Sequence, residues 1–199
     1  MNLRDWGWDD DWAAAFAPHA AEGLQPARVV RQDRGAWEIQ TEDGVRSAEA
    51  TGRFRLALES GETDLPAVGD WAAIDPRPTC DRAGLAAVLP RRTCLARQDA
   101  GRATRAQVLA ANVDVAFLVG ALDAGRGFSL ARLERALALV RAGGTEAVAV
   151  LNKADLCDDI GGRVREAQAA APDVAVIAVS ATEGWGVEEL RPWLAEGRT

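Results

Sequence analysis

The chain has 199 residues, 48% of them hydrophobic, and a formal charge of −7 at pH 7. That length and hydrophobic share are enough for a globular protein with one large domain or two small ones, and the acidic balance excludes polyanion binding over the whole surface, leaving only local contact with nucleic acid. Three cysteines without a C-x-x-C, and the single His19, spell neither a zinc site nor a disulfide framework.

The first residues carry four aspartates where a presequence would be basic, and no apolar run reaches membrane-spanning length. A soluble, cytoplasmic, monomeric protein with no membrane partner is expected. Within residues 1–25, Trp8, Trp12 and Phe16 recur every four positions, which predicts a helical extension closed by Pro18 and Gly23 and packed on the next domain.

Residues 26–90 change to short β-rich runs, at 27–31, 36–41, 54–58, 71–74 and 85–89. Turn signals separate them, including Asp33-Arg34-Gly35, Glu42-Asp43-Gly44 and Ser60-Gly61. Five short strands predict a small barrel; an OB type is the most economical, and an SH3-like barrel fits the spacing almost as well. Residues 91–111 read as a basic connector, in which Arg91, Arg92, Arg97, Arg102 and Arg105 face one acid, Asp99. Of these, Arg91, Arg92 and Arg97 are the candidate RNA contacts.

From residue 112 to 199 the period switches to alternating strands and helices. Strands are expected at 113–119, 147–151 and 174–179. Helices are expected after a Ser129 cap, at 160–171, and at 187–194, the last shortened by Pro192. Such alternation means a parallel sheet with ligands at the C-terminal strand ends.

Asn152-Lys153-Ala154-Asp155 falls at such an end. A carboxylate at Asp155 can accept hydrogen bonds from the N1–H and 2-amino group of guanine, which adenine cannot supply. The Lys153 stem can lie along the base, and the Asn152 amide can brace the loop and reach the other purine edge. Ser180-Ala181-Thr182 follows the third strand and offers backbone N–H groups for the guanine O6; Ser180 with Glu183 also reads as a helix capping box, which Gly184 and Gly186 disfavour. A phosphate loop, G-x-x-x-x-G-K-[ST], would precede these motifs in a GTPase of ordinary order, yet no lysine occurs before Lys153. The D-x-x-G matches at Asp81–Gly84 and Asp158–Gly161 read as chance.

A circularly permuted GTPase accounts for this order. The chain resembles the ribosome small-subunit-dependent GTPase family, RsgA or YjeQ, through Gly52-Arg-Phe-Arg55, Val68-Gly-Asp-Trp71, Leu89-Pro-Arg-Arg-Thr93, Gln107–Asp114 and Val150–Leu156. The resemblance implies an N-terminal OB-type β-barrel followed by part of a P-loop GTPase-like parallel α/β sheet in permuted order. It implies GTP hydrolysis in late maturation of the small ribosomal subunit, with the barrel on ribosomal RNA and GTP or GDP at the guanine motifs. The phosphate loop, the Mg2+ ligands and a structural Zn2+ site are expected only beyond residue 199, so no catalytic or metal residue is assigned within the chain. The alternative is a non-catalytic RNA- or ribosome-binding module.

Overall fold

In a computed structural model the described residues are 2–33, 35–79, 82–98, 106–123 and 128–199. Arg34, Asp81, Asp99, Arg102 and Arg105 lie outside them, as does Cys80, one of the three cysteines. The chain divides into two units, Met1–Asn112 and Val113–Arg198.

In the first unit, β1 (Gln25–Asp33), β2 (Ala36–Thr41) and β3 (Gly44–Ala50) form an antiparallel meander. β4 (Trp71–Thr79) and β5 (Arg82–Val88) pair as the next antiparallel couple. The barrel closes in the order β1-β2-β3-β5-β4, with β4 antiparallel to β1 and β5 parallel to β3. That five-stranded closure is of the OB type. Alternation along the strands sends Ala27, Val29, Trp37, Ile39, Ala48, Ile74 and Leu85 into one core.

Residues 54–58, expected as the third strand, lie instead in the helix α2 (Gly52–Ser60), and the third strand is β3. The alternating Phe-Arg-Leu-Ala-Leu looks like a half-buried strand, but its ends decide otherwise. Thr51 Oγ1 accepts the Phe54 N–H, Gly61 closes the helix with φ 79°, and Phe54 alone of the helix is buried.

The N-terminal segment folds as a 3-10 turn, Leu3–Trp6, followed by α1 (Asp10–Ala21). Asp9 caps α1 by accepting the Trp12 N–H at 2.9 Å. Trp12 and Phe16 are buried with Leu3, Trp71 and Leu89, and Trp8 packs edge-on to Trp71 with ring centroids 4.7 Å apart. Pro18 lies inside α1 rather than ending it. The stretch read as a connector carries two antiparallel strands, β6 (Cys94–Gln98) and β7 (Ala106–Ala111).

The second unit is a three-stranded parallel sheet, β8 (Val115–Ala121), β9 (Glu146–Asn152) and β10 (Ala175–Ala178), in the order β10-β9-β8. Helices α3 (Leu130–Ala142) and α4 (Ile160–Ala170) make the crossovers. Leu133, Leu137 and Ala167 bury one sheet face with Ala149 and Leu151. The other face, Val148, Val150, Ile177 and Val179, receives Leu190 and Trp193 of the 3-10 helix Val187–Trp193. Central β9 therefore shows the continuous burial of a doubly covered strand. Ser129 stands at the start of α3 but forms no side-chain cap; its carbonyl takes the first helical bonds from Arg132 and Leu133.

Candidate functional site

The parallel sheet aligns the C-terminal ends of β8, β9 and β10, so the segments that follow them emerge together. After β9, Asn152 is the hinge. Its Oδ1 accepts the Lys153 N–H at 2.7 Å and, across to the loop after β10, the Ala181 N–H at 3.1 Å. The carbonyl of Asn152 takes the Leu122 N–H at the end of β8 at 2.7 Å, and Val179 O takes the Ala154 N–H at 3.0 Å. One residue thus ties all three strand ends.

Lys153 adopts the left-handed conformation, φ 62° and ψ 37°. A residue with a Cβ holds that shape only where its surroundings impose it. The Asn152 bond is one constraint, and the ion pair of Lys153 Nζ with Asp123 Oδ2 at 2.6 Å is another. Asp123 is a site residue that sequence reasoning missed: nothing in its neighbourhood marks it, because its partner lies thirty positions on. Ala154 is buried beneath the turn Ala154–Leu156, while Asp155 is exposed. Its carboxylate has no hydrogen-bond partner among the described residues.

Ser180 is buried and exchanges backbone hydrogen bonds with Trp185, closing a tight loop. Its Oγ accepts the Glu183 N–H at 3.2 Å, the bond of a capping box, but no helix starts there. The loop turns on Gly184 and Gly186, with φ 70° and 73°, and a Cβ at Gly186 would overlap the Ala178 carbonyl. With the Ser180, Ala181, Glu183 and Trp185 N–H groups engaged, those of Thr182, Gly184 and Gly186 have no partner among the described residues. The Asn152 side-chain NH2 is likewise uncommitted among them.

The candidate RNA arginines belong to the other unit and differ among themselves. Arg91 is turned inward: its Nε and Nη2 make 2.8 Å bonds to the two oxygens of fully buried Asp70, and Nη2 also reaches Leu65 O. Those bonds raise the Arg91 pKa against the opposing effect of burial. Arg92 forks onto Asp9 at 2.6 and 2.7 Å with its guanidinium 4.2 Å over the Trp12 ring. Asp9 is consequently held down to a pKa of about 2, the Arg92 hydrogen bond being the largest cause. Arg97 is exposed, with Nε on Gln107 Oε1 at 3.1 Å.

Asp158–Gly161 sits at the start of α4, where Asp159 caps the helix through the Gly162 N–H. No group of three acidic, histidine or cysteine side chains among the described residues could hold a metal ion.

A barrel of the OB type preceding a parallel sheet of this order is the fold of circularly permuted GTPases. Residues 88–199 match the RsgA GTPase family, and the chain belongs to it. The small ribosomal subunit biogenesis GTPase RsgA of Opitutus terrae is 43% identical over 100% of this chain and 56% of its own length. That of Streptomyces coelicolor is 40% identical over 98% of this chain and 52% of its own. The crystal structure of YjeQ from Thermotoga maritima is similar with a TM-score of 0.65 at 26% identity, covering 86% of this chain and 57% of that one. YloQ, a circularly permuted GTPase, shares the fold with a TM-score of 0.55 at 23% identity, covering 80% and 52%. The chain spans about half the length of the curated relatives it matches.

Proposed function

We propose that this chain is the barrel and base-reading part of a GTPase of small-subunit biogenesis, and that Asn152, Lys153, Asp155, Ser180, Ala181 and Thr182 receive the guanine of GTP or GDP. The observation that carries the reading is the set of groups left uncommitted at the strand ends. An exposed carboxylate at Asp155 stands with uncommitted donors, among them the Thr182 N–H and the Asn152 amide. Guanine presents the complement, donors at N1 and the 2-amino group and acceptors at O6 and N7. Adenine would leave the carboxylate facing an acceptor, and a desolvated unpaired carboxylate is what a site of this kind rejects.

Turnover is a separate matter. No G-x-x-x-x-G-K-[ST] occurs in the 199 residues, so these residues alone supply no grip on the β- and γ-phosphates. Weak base-directed binding without hydrolysis is expected of them; micromolar GTP affinity with turnover would overturn this. The base assignment is tested by titrating guanosine and xanthosine into the chain with saturation-transfer NMR. Asp155→Asn replaces an acceptor by a donor and should move preference from guanine to xanthine. An unchanged preference would remove Asp155 as the reader.

The partner proposed for the barrel unit is ribosomal RNA of the small subunit, in the cytoplasm. Arg97 is the contact that fits, because its guanidinium is exposed and meets the neutral Gln107 amide, whereas Arg91 is paired with Asp70 and Arg92 with Asp9. A subunit affinity indifferent to salt would remove this contact.

A further inference from the structure

Lys153 is the single lysine of the chain, and its charge is already engaged. Its ammonium meets Asp123, just past the end of β8, at 2.6 Å. Its backbone is held left-handed by Asn152, and the Leu122 N–H bonded to the Asn152 carbonyl locks the segment before Asp123 to the segment before Lys153. Both ends of the lysine are therefore fixed, with the methylene stem between them. The pair is half open to solvent, 48% exposed for Lys153 and 29% for Asp123. In that setting an ion pair adds little to fold stability, so its consequence lies in what it does to the lysine.

We infer that Asp123 is a positioning residue for base recognition: it ties off the Lys153 ammonium, so that the lysine offers guanine an apolar stem in a fixed place and offers the phosphates no charge. The inference rests on the guanine reading above. Without Asp123 the stem regains its rotamers, a cost that binding the base must then bear. The released ammonium becomes a mobile cation that a nucleotide phosphate can recruit. Base affinity and phosphate affinity should consequently change in opposite directions.

The test uses the chain with guanosine and GMP as probes, measured by saturation-transfer NMR alongside thermal unfolding. Asp123→Asn should weaken guanosine about threefold to tenfold, toward the lower end of couplings between touching residues. It should raise the ratio of GMP to guanosine affinity and leave Tm essentially unchanged, and Asp123→Glu should restore part of the guanosine affinity. In a Lys153→Met background the effect of Asp123→Asn should vanish. Guanosine affinity unmoved by Asp123→Asn, additive effects in the double variant, or a loss of Tm that accounts for the loss of binding would each overturn the proposal. Failure of the underlying reading looks different: guanosine would not bind saturably, or Asp155→Asn would leave base preference intact.

Discussion

At the scale of single residues, the arginines show how much a partner decides. Arg91 and Arg92 are neighbours in a basic run, yet one is a core strut and the other a surface clamp. Arg91 is paired with Asp70, which has no exposed surface and also accepts the Ala67 N–H at 2.8 Å. Removing one member of such a pair strands the other, so Asp70→Ala should cost about 3 kcal/mol, read from the urea midpoint. Asp9 and Arg92 are both nearly half exposed, and their pair contributes much less. Its pH dependence still has a definite sign. A carboxyl depressed from 3.8 to about 2 stabilises the folded state above pH 4, and that contribution is lost as pH falls toward 2. Tryptophan fluorescence around Trp12 should therefore report acid loosening of α1 in that window. Asp9→Asn, which keeps the cap and drops the charge, should abolish the pH-dependent part.

At the scale of elements, the segment from α2 to β4 shows why a short motif can be demanding. Gly69 has φ 93°, and a Cβ there would overlap the Ala111 carbonyl. Its carbonyl accepts the Asn112 side-chain amide at 3.1 Å, while Asn112 Oδ1 accepts the Arg92 N–H at 2.9 Å. Val68-Gly69-Asp70 and Asn112 are thus parts of one hydrogen-bonded junction. Gly69→Ala should destabilise the chain by about 2 kcal/mol or more by chemical denaturation, since strain and overlap add. The error at residues 54–58 has the same lesson from the other side. Period-2 hydrophobicity over five residues fits a strand, but the cap at Thr51 and the left-handed Gly61 outweigh it, and Phe54 and Leu58, four positions apart, mark the face that packs. The strands β6 and β7 escaped notice because Arg97 and Gln107, paired across them, hide their pattern.

At the scale of the whole molecule, the two units each carry their own core and divide the proposed tasks between them. The base-reading loops belong to the sheet, and the exposed arginines to the barrel unit. If the barrel unit contacts ribosomal RNA, affinity for the small subunit should fall steeply with salt. Replacing Arg97 by glutamine should reduce the slope of log affinity against log salt by about one, since each lost phosphate contact removes about one released counterion. Filter binding at several salt concentrations reads that slope, and an unchanged slope would remove Arg97 as a contact.

The sequence by itself determined the order of the parts and the residue types in the loops proposed to read the base. N-K-A-D and S-A-T sit where the strand periodicity ends, and both follow the β-rich stretch in chain order. Such signals are local, carried by residues a few positions apart, and the backbone period places them without further information. Tertiary structure alone decided which groups in those loops remain available, that Lys153 is tied to Asp123, and that Arg91 belongs to Asp70. Those pairings join residues twenty-one to thirty positions apart, and a charge does not reveal its partner until the strands have brought the two together.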